Sequence, residues 1–166
     1  MQAEPLFDFP TLVSELNARG VRFLLVGRQA LVLHGAPVLS FDYDLWVDGS
    51  ERPRILHFLL VEKGFESSAG LDDPRPLISV YAGQEKLDLF FHRAVRSLDG
   101  VDLDFEATWR DAIEIVDETL PGFRVRIPSL DHMIVLKKLR ARNAKDEEDL
   151  KYLLAKKTHG ADRQSD

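Results

Sequence analysis

The sequence has no cysteine among its 166 residues. Disulfide bonds, thiolate metal ligands and a cysteine nucleophile are therefore excluded, and a reducing compartment is the expected setting. Long hydrophobic runs are also missing, since no stretch approaches the ~18 consecutive apolar residues of a membrane-spanning helix. The first ten residues lack the basic and apolar segments of a signal peptide. These absences predict a cytoplasmic protein without a membrane partner.

Basic residues are the scarcer charged class, with 22 lysines and arginines against 28 aspartates and glutamates. The net charge of -6 argues against indiscriminate binding to nucleic acid, which needs a basic surface. The deficit is uneven, because residues 1–120 hold 11 basic and 21 acidic residues whereas residues 121–166 hold 11 and 7. A phosphate-rich partner would therefore be contacted locally, by the C-terminal part of the chain.

Hydrophobic residues make up 45% of the chain, which is enough for the core of one domain at this length. We predict that this domain covers residues 1–156 and that residues 157–166 form a flexible polar tail. Helical and strand patterns are interspersed, and hairpin signals at Gly83–Gln84 and Pro121–Gly122 join neighbouring strands. The order predicts an α/β (α+β) fold with a mixed β-sheet backed by helices and a short C-terminal helical pair.

Aspartates interrupt the strand-like segment FDYDLWVD at residues 41–48. Residues two apart share one face of a strand, so Asp42, Asp44 and Trp46 lie on one side and the residues between them face the core. Two aspartates on one face repel each other, and a hard divalent cation such as Mg²⁺ removes that repulsion. The alternative is a solvated strand face without a ligand.

A third aspartate lies in the apolar segment EKLDLFF. Asp88 is flanked by two leucines, where an unpaired carboxylate is costly. Lys86 shares its face of the strand and is the simplest neutralising partner. If this strand lies beside the first, Asp42, Asp44 and Asp88 converge and supply the ligands of a two-metal phosphoryl-transfer site.

In order and spacing, these residues resemble the signature of the nucleotidyltransferase superfamily with the polymerase-β-type catalytic fold. That signature is a strand ending in Gly-Gly or Gly-Ser, a short helix, Asp-x-Asp on the next strand and a further Asp. Gly27 matches the first glycine, and Asp88 matches the last acid. Asp42 and Asp44 match the acidic pair. The resemblance covers roughly residues 20–155.

The C-terminal run IPSLDHMIVLKKLRARNAKDEEDLKYL is similar to the AbiEii-like bacterial branch, whose small members are often toxins of toxin–antitoxin pairs. That branch has a lysine on one helix, then an arginine, then Asp-x-x-Asp opening the last helix. The matching positions here are Lys137, Arg142, Asp146 and Asp149. Ser129 is predicted to begin the lysine helix and Asn143 to end it, with the last helix at residues 145–156.

The resemblance implies a role for each matched residue. One or two Mg²⁺ ions would be bound by Asp42, Asp44 and Asp88, which together with Lys137 form the implied catalytic set. The substrate would be a nucleoside triphosphate, from which a nucleoside monophosphate passes to a hydroxyl acceptor while pyrophosphate leaves. Asp146 and Asp149 would orient Lys137 or Arg142.

The implied nucleotide-binding residues include two positions that depart from the family pattern. The full set is Gly27, Arg28, Ser40, Lys137 and Arg142. Arg28 stands where the family usually has Gly or Ser. Val38 stands where this branch often has the arginine of Pro-Arg-x-Thr, although Ser40 keeps the hydroxyl. We hypothesise that Arg28 replaces the lost positive charge, and the competing interpretation is a decayed or specialised site.

Three functions are consistent with this pattern. The first is Mg²⁺-dependent transfer from ATP or another nucleoside triphosphate to a tRNA 3′ end or a protein hydroxyl, as part of a toxin–antitoxin system with a cognate toxin or antitoxin partner. The second is a binding module or antitoxin-like protein with a degenerate site, which Arg28 favours. The third is a small-molecule (antibiotic) nucleotidyltransferase, ranked last because the usual Gly-Gly-Trp turn of those enzymes is absent.

Overall fold

The computed structural model describes residues 7–140 and 143–164, with side chains of the last helix described up to residue 160. Its helices are α1 (Phe9–Ala18), α2 (Gly27–Leu33), α3 (Arg52–Leu56), α4 (Phe105–Arg110), α5 (Leu130–Leu136) and α6 (Ala144–Gln164). Its strands are β1 (Phe23–Val26), β2 (Tyr43–Val47), β3 (Glu66–Ser67), β4 (Leu77–Ala82), β5 (Glu85–Phe90), β6 (Ala94–Arg96), β7 (Asp102–Asp104), β8 (Ile113–Val116) and β9 (Arg124–Ile127). A 3₁₀ turn (Gly49–Glu51) precedes α3, and a π-helical segment (His57–Glu62) continues it.

The main sheet has five strands in the order β1-β2-β5-β4-β3. Strands β2 and β5 run parallel, whereas the other neighbouring pairs are antiparallel. The β4–β5 hairpin turns at Gly83–Gln84, and β8 pairs with β9 around Pro121–Gly122, as the sequence predicts. The mixed sheet backed by helices confirms the predicted α/β (α+β) fold class.

Two apolar clusters pack on opposite faces of this sheet. Alternation along β1 and β2 directs Leu25 and Leu45 into the larger cluster, to which α1, α2, α3, α5 and α6 contribute. The same alternation directs Leu24 and Trp46 into a smaller cluster with Phe105 of α4. The face that carries Trp46 is also the face of Asp44, so the sheet presents its aspartates beside the smaller cluster.

The C-terminal helices differ from the prediction at Asn143. Ser129 begins α5 as predicted, since its side chain accepts a hydrogen bond from the His132 backbone N–H, but that helix already ends at Leu136. Asn143 instead begins α6, because its Oδ1 accepts a 2.8 Å hydrogen bond from the Asp146 N–H. Asparagine is among the best residues for starting a helix and also occurs at helix ends, so residue type alone predicted the wrong end.

The last helix extends to Gln164, whereas the sequence predicts its end near Lys156 and a flexible polar tail beyond it. Residues 157–164 therefore have a helical backbone. No proline interrupts this stretch, and it includes alanine, lysine, arginine and glutamine, which are good helix formers. None of the helices in the described ranges 7–140 and 143–164 is long and apolar enough to cross a membrane.

Candidate active site

Gly27 stands at the point where β1 ends and α2 begins. Its φ of 68° lies in the left-handed region that glycine adopts readily. A Cβ added there would overlap Asp44 Oδ2 and lie 3.2 Å from Asp44 Cγ. The β1–β2 register places Val26 opposite Asp44, which brings the aspartate side chain over the glycine. Glycine is therefore required by the backbone angle and by the carboxylate packed against it.

Asp44 and Asp88 lie side by side in the sheet. The parallel register of β2 and β5 pairs these two residues directly, so two of the three expected carboxylates meet. Burial raises the pKa of Asp44 to about 6, with the charges of Asp88 and Asp42 adding to the effect and Lys86 opposing it. Two carboxylates so close cannot both be ionised without a large electrostatic cost, which a neighbouring cation would remove.

Asp88 is held by two side chains on its own hairpin. Lys86 Nζ lies 3.3 Å from Asp88 Oδ2, which confirms the neutralising partner suggested by the sequence. The Ser79 hydroxyl donates a hydrogen bond to Asp88 Oδ1, and sequence reasoning missed this contact. The signal for it was the hairpin itself, because the β4–β5 register places Ser79 directly opposite Asp88.

Asp42 and Ser40 lie on the segment that leads into β2. Asp42 is exposed and precedes the first strand residue, so the predicted strand begins later than the motif does. Ser40 Oγ donates to the Asp42 carbonyl at 3.2 Å, and Gln29 of α2 donates to the Ser40 carbonyl at 2.8 Å. In the described parts of the chain, no three or more histidine, cysteine, aspartate or glutamate side chains are arranged to hold a metal ion.

A second charged cluster forms where α2, α5 and α6 meet, and we call Arg28, Lys137, Asp146 and Asp149 the junction cluster. Asp149 is 1% exposed and accepts hydrogen bonds from Arg28 Nε at 3.1 Å and from Arg28 Nη2 at 3.0 Å. Lys137 Nζ lies 2.9 Å from Asp149 Oδ2 and 3.7 Å from Asp146 Oδ1. One carboxylate thus holds two mostly buried cations.

Electrostatics in the junction cluster run opposite to those at Asp44. Burial alone would raise the pKa of Asp149, but hydrogen bonds from Arg28 and Lys137 outweigh it and hold that pKa below its ordinary value. Asp146 is buried as well, and among the described residues its Oδ2 has no hydrogen-bond partner, although Arg140 Nε lies 3.8 Å from it. Arg142, the remaining predicted nucleotide-binding residue, lies outside the described residues.

The two clusters are joined by consecutive residues. Gly27 packs against Asp44, and Arg28 pairs with Asp149. The structure thus brings Gly27, Asp44 and Asp88 together on one side and Arg28, Lys137, Asp146 and Asp149 on the other. Sequence reasoning missed the Arg28–Asp149 pair, since the two residues are 121 positions apart and no local pattern connects them.

No protein-family model and no curated protein matches the chain, but solved structures do. The lincosamide antibiotic adenylyltransferase LnuA with bound lincomycin gives a TM-score of 0.60 over 86% of this chain and 92% of that chain, at 15% identity. ANT(2'')-Ia in complex with adenylyl-2''-tobramycin gives 0.59 over 93% and 91%, at 19% identity. A Thermotoga maritima protein provisionally assigned as a nucleotidyltransferase gives 0.54 over 93% and 88%, at 15% identity. The chain therefore has the nucleotidyltransferase fold.

Proposed function

We propose that this protein is a Mg²⁺-dependent nucleotidyltransferase that moves a nucleoside monophosphate from a nucleoside triphosphate to a hydroxyl group. The observation that carries the proposal is the Asp44–Asp88 pair set against Gly27, at the position where the fold's signature has its acids. The donor chemistry fits a hard divalent cation, because these are adjacent carboxylate oxygens short of positive charge. Asp44 and Asp88 would hold it, with Asp42 completing the set from the segment before β2.

The chemical step needs few groups. The acceptor oxygen forms a bond to the α-phosphorus, the bond from that phosphorus to the bridging oxygen breaks, and pyrophosphate leaves. A bound divalent cation supplies charge stabilisation at the attacking and leaving oxygens. We assign Asp88 to accept the hydroxyl proton, since it lies beside Asp44 and within the same cluster.

The phosphates would be bound at the Gly27–Arg28 turn. Gly27 lets the turn pack closely against Asp44, so phosphates bound to a cation at that carboxylate would lie next to the turn. Arg28 and Lys137 are the nearby cations, with Ser40 and Arg142 as the further proposed contacts. Our hypothesis that Arg28 replaces a missing positive charge requires it to interact with phosphate while Asp149 holds it. Removing the side chain in Arg28→Gly would then weaken triphosphate binding, and unchanged or tighter binding would refute the hypothesis.

The acceptor divides the proposal into two versions. Similarity to LnuA and ANT(2'')-Ia over about nine-tenths of each chain supports a small-molecule hydroxyl as acceptor. The sequence resemblance to the AbiEii-like branch, and the basic balance of residues 121–166, support a tRNA 3′ end or a protein hydroxyl in a toxin–antitoxin setting. The fold similarity raises the small-molecule version above its rank in the sequence analysis.

A second candidate function is a binding module with a degenerate site. The observation that favours it is the junction cluster, where Asp149 already takes up the two cations that a triphosphate would use. In that case the chain would bind a partner protein and transfer nothing. The acidic pair at Asp44 and Asp88 has no purpose in this alternative, which is why we place it second.

The test is a labelling experiment with a panel of acceptors. Each α-labelled nucleoside triphosphate is incubated with Mg²⁺ and with total tRNA, a protein lysate, an aminoglycoside or a lincosamide. The variant Asp42→Ala with Asp44→Ala removes two proposed ligands. Its matched control is Asp99→Ala with Asp131→Ala, since both of these aspartates are exposed and paired with surface lysines.

We expect label on one acceptor class with the wild type and the control, and background label with the Asp42 and Asp44 variant. Equal labelling by that variant would refute the metal assignment. Absence of label on every acceptor, with intact folding, would favour the binding module.

A further inference from the structure

We call Asp42, Asp44 and Asp88 the acidic cluster, and Lys86 lies beside Asp88 in it. Its ammonium is 3.3 Å from Asp88 Oδ2, and it interacts electrostatically with Asp42 and Asp44 as well. The β2–β5 register pairs Tyr43 with Leu87 and Asp44 with Asp88, so Lys86 precedes the paired residues of β5 as Asp42 precedes those of β2. The ammonium therefore pairs with Asp88 and is near enough to Asp42 and Asp44 to interact with their charges.

The side chain of Lys86 reaches solvent more than that of Lys137 does. It is 36% exposed, compared with 14% for Lys137 in the junction cluster, so a displaced ammonium has access to water. An ammonium and a divalent cation on the same carboxylates repel each other strongly at contact distances. Both cannot occupy the cluster at full strength, and a cation that binds there must displace Lys86.

We propose that Lys86 is a positioning residue that acts as the cluster's resident counter-ion and makes the site select a metal–nucleotide complex over the free metal. This inference rests on the proposed function. A free cation must displace the ammonium and leaves it without a carboxylate partner. A cation that arrives with a triphosphate brings phosphate oxygens, which give the displaced ammonium a new partner. Lys86 therefore weakens binding of the free cation and strengthens binding of the cation–triphosphate complex.

The test measures two affinities by the electron paramagnetic resonance signal of free Mn²⁺. The probes are Mn²⁺ alone and the Mn²⁺ complexes of α,β-methylene nucleoside triphosphates, which cannot release pyrophosphate. For Lys86→Met we expect about tenfold tighter binding of Mn²⁺ alone and several-fold weaker binding of one Mn²⁺–nucleotide complex. Lys86→Arg keeps the charge and is expected to resemble the wild type in both. Should Lys86→Met fold poorly, Lys86→Gln serves as the second neutral variant.

Lys63→Met is the matched control, because Lys63 is also paired with a carboxylate, Glu15 of α1, at 2.9 Å. We expect no change in either affinity for this variant. The inference is overturned if the two affinities of Lys86→Met move in the same direction or do not move.

A variant with Asp44→Asn and Asp88→Asn distinguishes failure of the proposed function from failure of the inference on Lys86. If it binds Mn²⁺ as the wild type does, the metal assignment of the proposed function fails. If it loses Mn²⁺ while Lys86→Met matches the wild type, the inference on Lys86 alone fails.

Discussion

Asp44 and Asp149 are both largely removed from water, and they lie on the two sides of the Gly27–Arg28 turn, yet their surroundings have opposite effects. Burial and the charge of Asp88 raise the pKa of Asp44 to about 6, and Lys86 opposes them only in part. Around Asp149, the hydrogen bonds of Arg28 and Lys137 overcome burial and lower its pKa. Asp44 is short of positive charge, whereas Asp149 is fully supplied with it.

This difference separates a site from a structural contact. A buried carboxylate that already holds two cations is costly to unpair and has little to offer a ligand. A carboxylate crowded by others keeps an unfavourable interaction that a bound cation would relieve. We therefore propose a ligand-binding role for Asp44 and its neighbours, and a structural role for Asp149.

The largest expected effect is the loss of stability when Asp149 is neutralised. Asp149→Asn removes the charge that pairs with Arg28 and Lys137, both of which stay mostly buried. We expect the free energy of unfolding to fall by about 3 to 5 kcal/mol in urea titrations. Asp131→Asn is the control, since its pair with Lys157 is exposed on both sides and is expected to contribute less than about 1 kcal/mol. Equal effects for the two variants would remove the distinction between the clusters.

A smaller effect is expected from crowding Asp44 with a methyl group. Gly27→Ala introduces a side chain at a φ of 68° and against the Asp44 carboxylate, and should cost about 2 to 4 kcal/mol. Gly20→Ala is an unusually close control, because Gly20 has the same φ of 68° and no atom within 4 Å of the added Cβ. It should cost about 1 kcal/mol. In an Asp44→Ala background the Gly27→Ala cost should fall to the Gly20 value, and a cost that stays high would contradict the packing of Asp44 on Gly27.

The smallest expected effect is a gain in stability, which follows when Asp44 is neutralised. The folded protein binds a proton on Asp44 more tightly than the unfolded chain does, because the pKa rises from 3.8 to about 6. The free energy of unfolding should therefore decrease as the pH rises from about 4 through 6. Asp44→Asn removes this cost, so without metal it should be more stable than the wild type by about 1 to 3 kcal/mol at pH 8. The gain should vanish near pH 4, as measured by urea titrations in EDTA at both pH values.

The sequence contained most of the acidic cluster and part of the junction cluster, where the resemblance already joined Asp146 and Asp149 to Lys137. Asp44 and Asp88 each lie within a strong strand pattern, so their meeting followed from the pairing of two strands. The pairing of Lys86 with Asp88 followed from the alternation of residues along β5, which places both on one face of the strand. By contrast, the Arg28–Asp149 contact depends on how α6 packs against α2. The two residues are 121 positions apart, and charge alone does not predict which residues pair across such a distance in sequence. Sequence reasoning directed Arg28 to phosphate, whereas in the structure its guanidinium is bound to Asp149.

The fold was predictable where sequence patterns are local, and less so where one residue type occurs both at helix starts and at helix ends. Asn143 begins a helix that its residue type was taken to end. The last helix continues to Gln164 through Gly160, although the polarity of this stretch is typical of a tail. Both differences arise because polar residues are common at helix starts, at helix ends and in unstructured tails, so they do not distinguish among the three.

The most direct test of the account is a titration of the side-chain carboxyl carbons of Asp44 and Asp149 by nuclear magnetic resonance, with EDTA and then with saturating Mg²⁺ and a nucleoside triphosphate analogue. We predict that Asp44 titrates near pH 6 in EDTA and at a clearly lower pH with the cation present. Asp149 should titrate below its ordinary value of 3.8 in both conditions. The account would be contradicted if Asp44 titrated near 3.8 in EDTA, or if the cation and nucleotide left its titration unchanged.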